Sequence, residues 1–423
     1  MIGLILSVLM ALPAMAVELE YGGYWRTRGY TMDGFSGNED VELNDVSKID
    51  ARGRLWNRFL INDDLKWTNR IEFNVVWGDE LKGGGIGTDG TDYIRFKHSY
   101  VDLDTTVSDM DLHIRLGLQG YEAAKGMLFS DDFAGMILST EGDMAEYRLV
   151  WMKAFEGSTL SGEYEEDLED LDVDFVGFNP TFSLMDDALK VDLYGFYLFS
   201  EDAREWSGTT GNEEISVFYL GAEMNYTTDM GNFWGILLYE TGSAEVANTD
   251  FEFDVTGYIA ALGAEFDFDG FGVHGQVFYA SGDGDLADDE AEGFFVPRGQ
   301  SYYWAEIMGL GVFDAAYSNG SPGDTLHNIM AANIGISYEI SDTATLTADV
   351  WHAEHAETNQ LVEEDALGTE IDLRLDYMLN DDLKLTAVAA YLLADDATTM
   401  GAENDADPWE VGVMLSFKFN SAN

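Results

Sequence analysis

The sequence predicts an all-β fold: a transmembrane antiparallel up-and-down β-barrel of about 18 strands, with periplasmic termini and long extracellular loops. Three observations predict it. Segments of roughly ten residues alternate apolar and polar side chains, the period of a strand with one greasy and one wet face. They pair across very short acidic or glycine-bearing turns almost to the last residue. No stretch after residue 17 supplies the roughly 20 consecutive apolar residues of a membrane helix, so a membrane home requires strands closed into a barrel.

The alternation is clearest over residues 48–62. Ile49, Ala51, Leu55, Phe59 and Ile61 take one face, and Lys48, Asp50, Arg52, Arg54, Arg58 and Asn62 take the other. The next segment sets Leu65, Trp67, Ile71, Phe73, Val75 and Trp77 against Lys66, Arg70, Glu72 and Asn74. A face so densely charged cannot sit in a soluble sandwich core, but it can line a water-filled lumen while its partner face meets lipid.

Taken in order, residues 2–12 form an apolar run too short to span a bilayer, followed by the small-x-small triplet Ala14-Met15-Ala16. This predicts a cleaved secretory signal over residues 1–16 and a mature single-domain barrel over 17–423, although no Lys or Arg precedes the run. A first strand is expected at 18–31. Eight hairpins follow: 48–62 with 65–78, 93–104 with 111–119, 134–141 with 145–154, 173–185 with 189–200, 215–228 with 231–243, 254–269 with 271–282, 327–340 with 343–356, and 367–379 with 382–394. A last strand at 409–419 completes the even number that leaves both ends in the periplasm. Asn62-Asp63-Asp64, Asp229-Met230-Gly231, Asp269-Gly270 and Asn380-Asp381-Asp382 are turn sequences of the expected kind.

Nine longer connections, polar and mostly acidic, lie between these units and are expected outside the cell. The longest, 283–326, carries an aromatic patch of Phe294, Phe295, Tyr302, Tyr303 and Trp304. A connection of that length is usually functional, and this one is expected to fold over or into the mouth as a constriction or lid.

The chain holds 80 acidic and 21 basic residues, a formal charge of −59, which repels nucleic acid and anionic surfaces. A disordered acidic chain is the alternative that such a charge suggests, and 46% hydrophobic and 13% aromatic content argues against it. An exterior this acidic suits high ionic strength, where salt screens its self-repulsion. There is no cysteine, so disulfides, thiolate metal sites and covalent haem attachment are unavailable.

Of the 21 basic residues, 15 lie between Arg26 and Lys153. Strand parity turns Arg26, Arg28, Arg52, Arg54, Arg58, Lys66, Arg70, Arg95, Lys97, Arg115 and Arg148 inward, because a cation facing lipid near the midplane costs about 2 to 4 kcal/mol. The same parity gives an opposing acidic wall of Asp192, Glu223, Glu265, Asp267, Asp349, Glu370, Asp372 and Asp376. Two such walls would set a transverse field that orients dipolar solutes; alternatively, the charges pair and tie the wall together. In the row Arg52, Arg54 and Arg58, like charges two apart need an anionic partner, either neighbouring Asp50 and Glu72 or a permeant.

Two blocks carry a family likeness. Arg115-Leu116-Gly117-Leu118-Gln119-Gly120, followed by Leu128-Phe129-Ser130-Asp131-Asp132-Phe133-Ala134-Gly135, resembles a strand-loop-strand unit of alginate-export-type outer-membrane barrels, with Leu118 where that family usually has Arg. Leu367-Gly368-Thr369-Glu370-Ile371-Asp372-Leu373 resembles another strand of that family, continued over 377–394. The resemblance implies an 18-stranded barrel with an electropositive lumen passing anionic sugars or other small anions. Trp409, Val411, Val413, Leu415, Phe417 and Phe419 look like the C-terminal signal read by barrel-assembly machinery, with a few residues trailing.

No catalytic constellation emerges. His352 and His355, in the only histidine cluster, fall on opposite strand faces and cannot share a metal without a bulge. Asp283, Asp285, Asp288, Asp289 and Glu290 have the oxygen density Ca²⁺ prefers but not EF-hand spacing, so loop Ca²⁺ is the one weak cofactor candidate. The leading expectation is a non-enzymatic Gram-negative outer-membrane porin for passive diffusion of small hydrophilic, chiefly anionic, solutes. The alternatives are an alginate-type polysaccharide exporter and a non-transport barrel such as an adhesin or the sheath of an outer-membrane complex. Expected partners are outer-membrane lipid, lipopolysaccharide, the assembly machinery and a small or polymeric permeant; a homo-oligomer is compatible with the sequence.

Overall fold

Alternation of this kind closes into a ring in a computed structural model, which describes residues 17–42, 45–78, 93–156, 172–201, 203, 212–246 and 251–421. The expected signal segment lies outside the described residues. The strands are β1 (Glu18–Asp33), β2 (Val46–Leu60), β3 (Leu65–Val76), β4 (Tyr93–Val107), β5 (Met110–Ala123), β6 (Phe129–Glu141), β7 (Ala145–Phe155), β8 (Val173–Leu184), β9 (Leu189–Ser200) and β10 (Asn212–Thr228). They continue with β11 (Gly231–Val246), β12 (Glu252–Phe268), β13 (Phe271–Ala280), the two-residue β14 (Glu290–Ala291), β15 (Ile329–Ser341), β16 (Ala344–Glu354), β17 (Ala366–Met378), β18 (Leu383–Ala394) and β19 (Trp409–Asn420). All but β14 form the wall, an 18-strand closed antiparallel barrel; β14 pairs parallel with β12 at Asp254 and Val255. Closure runs between β19 and β1 from Gly22↔Asn420 to Asp33↔Trp409, and leaves no edge strand.

The turn chemistry at one end is what the sequence calls for. Asn62 Oδ1 accepts the N–H groups of Asp64 (2.9 Å) and Leu65 (2.8 Å), and Asn380 repeats the motif on Asp382 (3.0 Å) and Leu383 (2.9 Å). Leu55, Ile94, Phe96, Leu116, Leu220, Leu237, Leu262, Ile334 and Val411 stand exposed on the outer face, the belt that lipid covers. Stacked rings mark its two borders: Phe59 with Trp67 (5.4 Å) and Tyr226 with Phe233 (6.5 Å) near the turns, Tyr197 with Phe218 (4.1 Å) and Tyr258 with Tyr279 (5.2 Å) near the loops. Ring centroids at these separations suit aromatic contact, and such amphipathic residues concentrate at headgroup depth.

The third of the nine expected long connections is not long. β5 and β6 continue past the predicted limits and leave only residues 124–128 between them. The polar run Ser130-Asp131-Asp132 reads as loop in the sequence, yet Ala123, Phe129 and Phe133 carry a buried apolar face through it. The turn is made by left-handed residues Ala124 (φ 54°), Lys125 (φ 53°) and Gly126 (φ 88°). At Gly126 a Cβ would come within 2.1 Å of the Ser301 carbonyl oxygen, because the long 281–328 connection packs directly on this turn. Gly126→Ala is therefore expected to weaken that docking by about 1 to 3 kcal/mol. A lowered thermal midpoint of Trp304 fluorescence checks it, and an unchanged midpoint would remove the turn as a seat.

Candidate functional site: the lumen and its inner loop

Residues opposed across an antiparallel ladder share a face, so the register sorts the side chains. Glu20↔Arg58, Arg26↔Arg52 and Arg28↔Asp50 on β1–β2 continue through Arg54↔Glu72 and Arg58↔Thr68 on β2–β3 to Glu72↔Arg95 and Arg70↔His98 on β3–β4. Lys66↔Asp102, Asp102↔Arg115 and Arg148↔Asn179 complete the same face. That face is the inner one, because Arg28 Nη1 reaches the carbonyl oxygens of Val312 (3.0 Å) and Phe313 (2.6 Å) in the 281–328 loop. Lys97 departs from the simple parity: it sits in the bulge where the β3–β4 register shifts between Arg70 and Ile71, and it pairs with Asp132.

Two acids, Glu72 and Asp102, lie beneath their cations rather than in front of them. Glu72 is bonded by Arg54 Nε (2.7 Å) and by Arg95 Nη2 (2.6 Å), with Arg52 at 3.8 Å. Its side chain is 0% exposed while that of Arg95 is 58% exposed. Asp102, 4% exposed, likewise lies under Arg115, 31% exposed, at 2.6 Å. Arg58 meets Glu20 (3.4 Å), Lys66 meets Asp104 (3.3 Å), and Arg148 Nε meets Glu146 (2.8 Å). Arg26 and Arg28 both take Asp314 of the loop, and Arg28 also holds Asp50 at 2.7 Å. Arg70 has no ion pair among the described residues. The strip is thus tied together, as the pairing alternative requires; guanidinium groups are its exposed atoms at Arg54, Arg95 and Arg115, whereas Asp104 and Glu146 are more exposed than the cations they meet.

The acidic wall divides by use. Asp192 accepts from Thr181, Glu223 from Tyr194 Oη (2.9 Å) and Asn225 (2.7 Å), Asp349 from His274 and Asn333 (both 2.7 Å), and Asp376 from Arg374 (2.9 Å) and Thr386 (2.6 Å). Glu265 and Asp267 accept no hydrogen bond among the described residues. Glu370 and Asp372 hold backbone. Glu370 accepts the N–H groups of Ile307 (2.7 Å) and Met308 (2.9 Å), and Asp372 that of Glu306 (3.4 Å). Glu240 on β11, which the sequence reading passed over, accepts the Phe295 N–H, and Tyr219 on β10 donates to the Phe295 carbonyl oxygen at 3.0 Å.

These contacts trace the 281–328 loop inside the ring. It touches β10 and β11 through Phe295 and β1 through residues 312–314, and β1 and β10 stand half-way round an 18-strand ring from each other. A third support is the 124–128 turn, where Ser301 N–H bonds the Gly126 carbonyl oxygen (3.1 Å). Phe294, Ile307, Met308, Phe313 and Leu326 are buried, Trp304 packs edge-on against Phe278 (5.3 Å) and Trp351 (5.2 Å), and Phe313 stacks on Tyr30 (4.8 Å). Full burial of each such side chain is worth about 1.5 to 3 kcal/mol, so the strap is held by apolar packing as well as by the wall's charged groups. The inner face of β9–β11 is accordingly apolar where it meets this region, with Phe196, Leu198, Val217, Ile236 and Leu238 all buried. A cavity of about 620 Å³ remains beside the strap, lined by Tyr303, Trp304, Glu306, Asp349, Arg374 and Glu265.

The remaining candidates stay apart. His352 pairs with Glu354 (3.1 Å), while His355 Nδ1 lies 3.2 Å from the Asn328 carbonyl oxygen, so the two rings do not converge. Asp283, Asp285 and Asp288 turn an oxygen to N–H groups of their own loop (3.0, 3.2 and 3.1 Å), and Asp289 and Glu290 are exposed beside them.

No protein-family model matches the sequence, and no curated protein does. Solved structures do. The chain superimposes on OccAB1 of Acinetobacter baumannii with a TM-score of 0.60 at 14% identity, over 95% of this chain and 97% of that one. OpdK of Pseudomonas aeruginosa, solved with vanillate, gives 0.59 at 12% identity over 95% and 99%, and OprD of the same organism gives 0.56 at 12% over 96% of each. The fold is that of the outer-membrane porins. Together with the closed ring and its apolar belt, that likeness supports an outer-membrane location. The matches support the porin fold and not the alginate-export family in particular.

Proposed function

We propose that the protein is a non-enzymatic diffusion channel for small hydrophilic solutes, anions foremost, with the 281–328 loop as its constriction. The observation that carries the reading is the layered strip: guanidinium groups of Arg54, Arg95 and Arg115 face the lumen over the buried carboxylates of Glu72 and Asp102, with Arg58 exposed beside a half-buried Glu20. An anion entering meets donors that are already positioned, and a cation meets like charge at short range. The fold neighbour OpdK was solved with vanillate, itself an anion, which supports the sign. Export of an alginate-type polymer is the weaker alternative, since a polymer would have to displace a strap anchored on β1, β11 and β17. A non-transport role is weaker still, because an adhesin or sheath has no use for a charged inner strip.

Around that reading, residues 1–16 act as the export signal, β19 as the assembly signal, and lipopolysaccharide as the outer contact of the belt. A homo-oligomer and loop Ca²⁺ at Asp283, Asp285, Asp288, Asp289 and Glu290 remain subsidiary proposals, the latter tested by chelator on single-channel noise. The deciding experiment is reconstitution in planar bilayers across a KCl gradient. Steady conductance with an anion-leaning reversal potential is expected. A folded, heat-modifiable barrel that passes no current would overturn the channel reading.

A further inference from the structure

Behind the part of the loop that holds residues 305–313, four carboxyl groups meet, and no cation among the described residues is left to pair with them. Glu370 and Asp372 come from the inner face of β17, Glu410 from that of β19, and Glu306 from the loop itself. Glu370 is fully buried, and its carboxyl lies within hydrogen-bonding reach of that of Asp372. Two carboxyl groups form such a bond only when one of them carries a proton. Glu410 is 1% exposed, and neither of its oxygens, nor Oδ1 of Asp372, has a hydrogen-bond partner among the described residues. The nearest guanidinium groups are committed elsewhere: Arg28 to Asp50, Asp314 and two loop carbonyls, Arg374 to Asp376. Among the described residues no group of acidic and histidine side chains is arranged to hold a metal ion, which favours protons over a cation as the neutralising species. Buried ionised carboxylates without partners are among the costliest arrangements a protein can hold.

We propose that Glu306, Glu370, Asp372 and Glu410 form a proton-operated latch, which holds the loop against the wall while protonated and releases it into the lumen when the groups ionise. Glu306 supplies the moving half. Its backbone N–H sits on Asp372 (3.4 Å), and its own Oε2 accepts the Val312 N–H (2.6 Å), so the residue folds the strap back on itself. The charged groups around the latch are Asp349 from β16, Glu370, Asp372 and Arg374 from β17, Glu410 from β19, Arg28 from β1, and Asp314 within the loop. Burial pushes the Glu306 carboxyl up to about 7; the Val312 N–H pulls it down, Glu370 adds to the rise, Arg374 opposes it and Asp349 adds again. A carboxyl raised in the docked state favours docking at low pH and loses that contribution as pH climbs through the raised value. The Glu306 contribution to docking is therefore full below the ordinary carboxyl range, near pH 4.5, and is lost as pH climbs to about 7, so the latch loosens across that window.

The test does not depend on solute flux, so it can fail independently of the channel reading. Because the chain has no cysteine, a single Ile307→Cys reports on the docked strap, which buries Ile307 fully. Its maleimide labelling rate in the reconstituted barrel is divided by that of Met230→Cys, at an exposed turn, which removes the thiol's own pH dependence. The ratio is expected to be low near pH 4.5 and to rise by up to about tenfold per unit as pH climbs toward about 7. Adding Glu306→Gln and Glu410→Gln, which keep the shape of the protonated groups and cannot ionise, should hold the ratio low throughout; heat-modifiable mobility shows that each variant is folded. A ratio flat with pH, or an unaltered rise in the Gln variant, would overturn the latch. So would labelling governed by chelator instead of pH, which would mean a bound cation.

Discussion

Replacing residues 301–321 with a short glycine-serine linker is expected to raise single-channel conductance several-fold. Eighteen strands enclose a lumen wide enough for an open aqueous channel, and here the loop crosses it from Phe295 on β10–β11 to Asp314 on β1. Conductance is set by the narrowest section, so removing the occupant of that section should dominate every other change in this chain. The wall should survive, because its ladder runs unbroken through β19 and β1 and does not pass through the loop. The deletion does leave Phe278, Trp351 and Leu392 facing water, at a cost of about 1.5 to 3 kcal/mol for each side chain fully uncovered. If the shortened chain fails to fold, Glu370→Ala offers a milder route, since it frees the Ile307 and Met308 N–H groups without emptying the lumen, and should appear as current noise and a raised mean conductance. Unaltered conductance in the folded deletion would place the narrowest point elsewhere.

The wall was legible in the sequence because lipid and water sort side chains on a period of two. On β2 and β3, Ile49, Leu55 and Trp67 fall outward and Arg52, Arg54 and Glu72 inward, and nothing else competes for either face. The Asx turns at Asn62 and Asn380 were legible for a local reason: their side chains cap N–H groups two and three residues on.

What the sequence hid is where the barrel encloses its own core. On β11, Trp234, Ile236 and Leu238 are buried inward while Leu237 and Tyr239 are exposed outward, so both faces read apolar and Glu240 sits at the end of a run with no alternation to place it. Glu410 was passed over for a related reason: the apolar residues of β19 drew the reading to the lipid face. The third connection was misjudged because Ser130, Asp131 and Asp132 carry turn chemistry, whereas their conformation is set by the loop that packs there, through Gly299 and Ser301. The use of Glu370 and Glu240 as acceptors for loop backbone follows from a contact between segments distant in sequence. Parity indicates which way a carboxylate points and not what it will meet.

Charge reversal at Arg54, Arg58 and Arg95 is the second large effect, and its size follows from the layering of the strip. These three guanidinium groups are about one-third, one-third and more than one-half exposed, so they are the charges a solute encounters, while Glu72 beneath Arg54 and Arg95 is sealed from the lumen. A unit charge about 4 Å from a permeant near a protein surface is worth about 4 kcal/mol before salt, and screening at ordinary ionic strength reduces that to the order of 1 kcal/mol. Three reversals should therefore shift the anion-to-cation permeability ratio by at least about tenfold toward cations, since each factor of ten is about 1.4 kcal/mol. The shift should shrink as KCl is raised. Glu substitution also leaves Glu72 buried against like charge, so the neutral Arg→Gln triple is the companion: Glu72 then keeps hydrogen-bond donors, and the shift should be roughly half as large. A reversal potential that moves in neither variant would mean that solutes do not pass along this strip, and would assign the pairing of Arg54, Arg95 and Glu72 to wall stability alone.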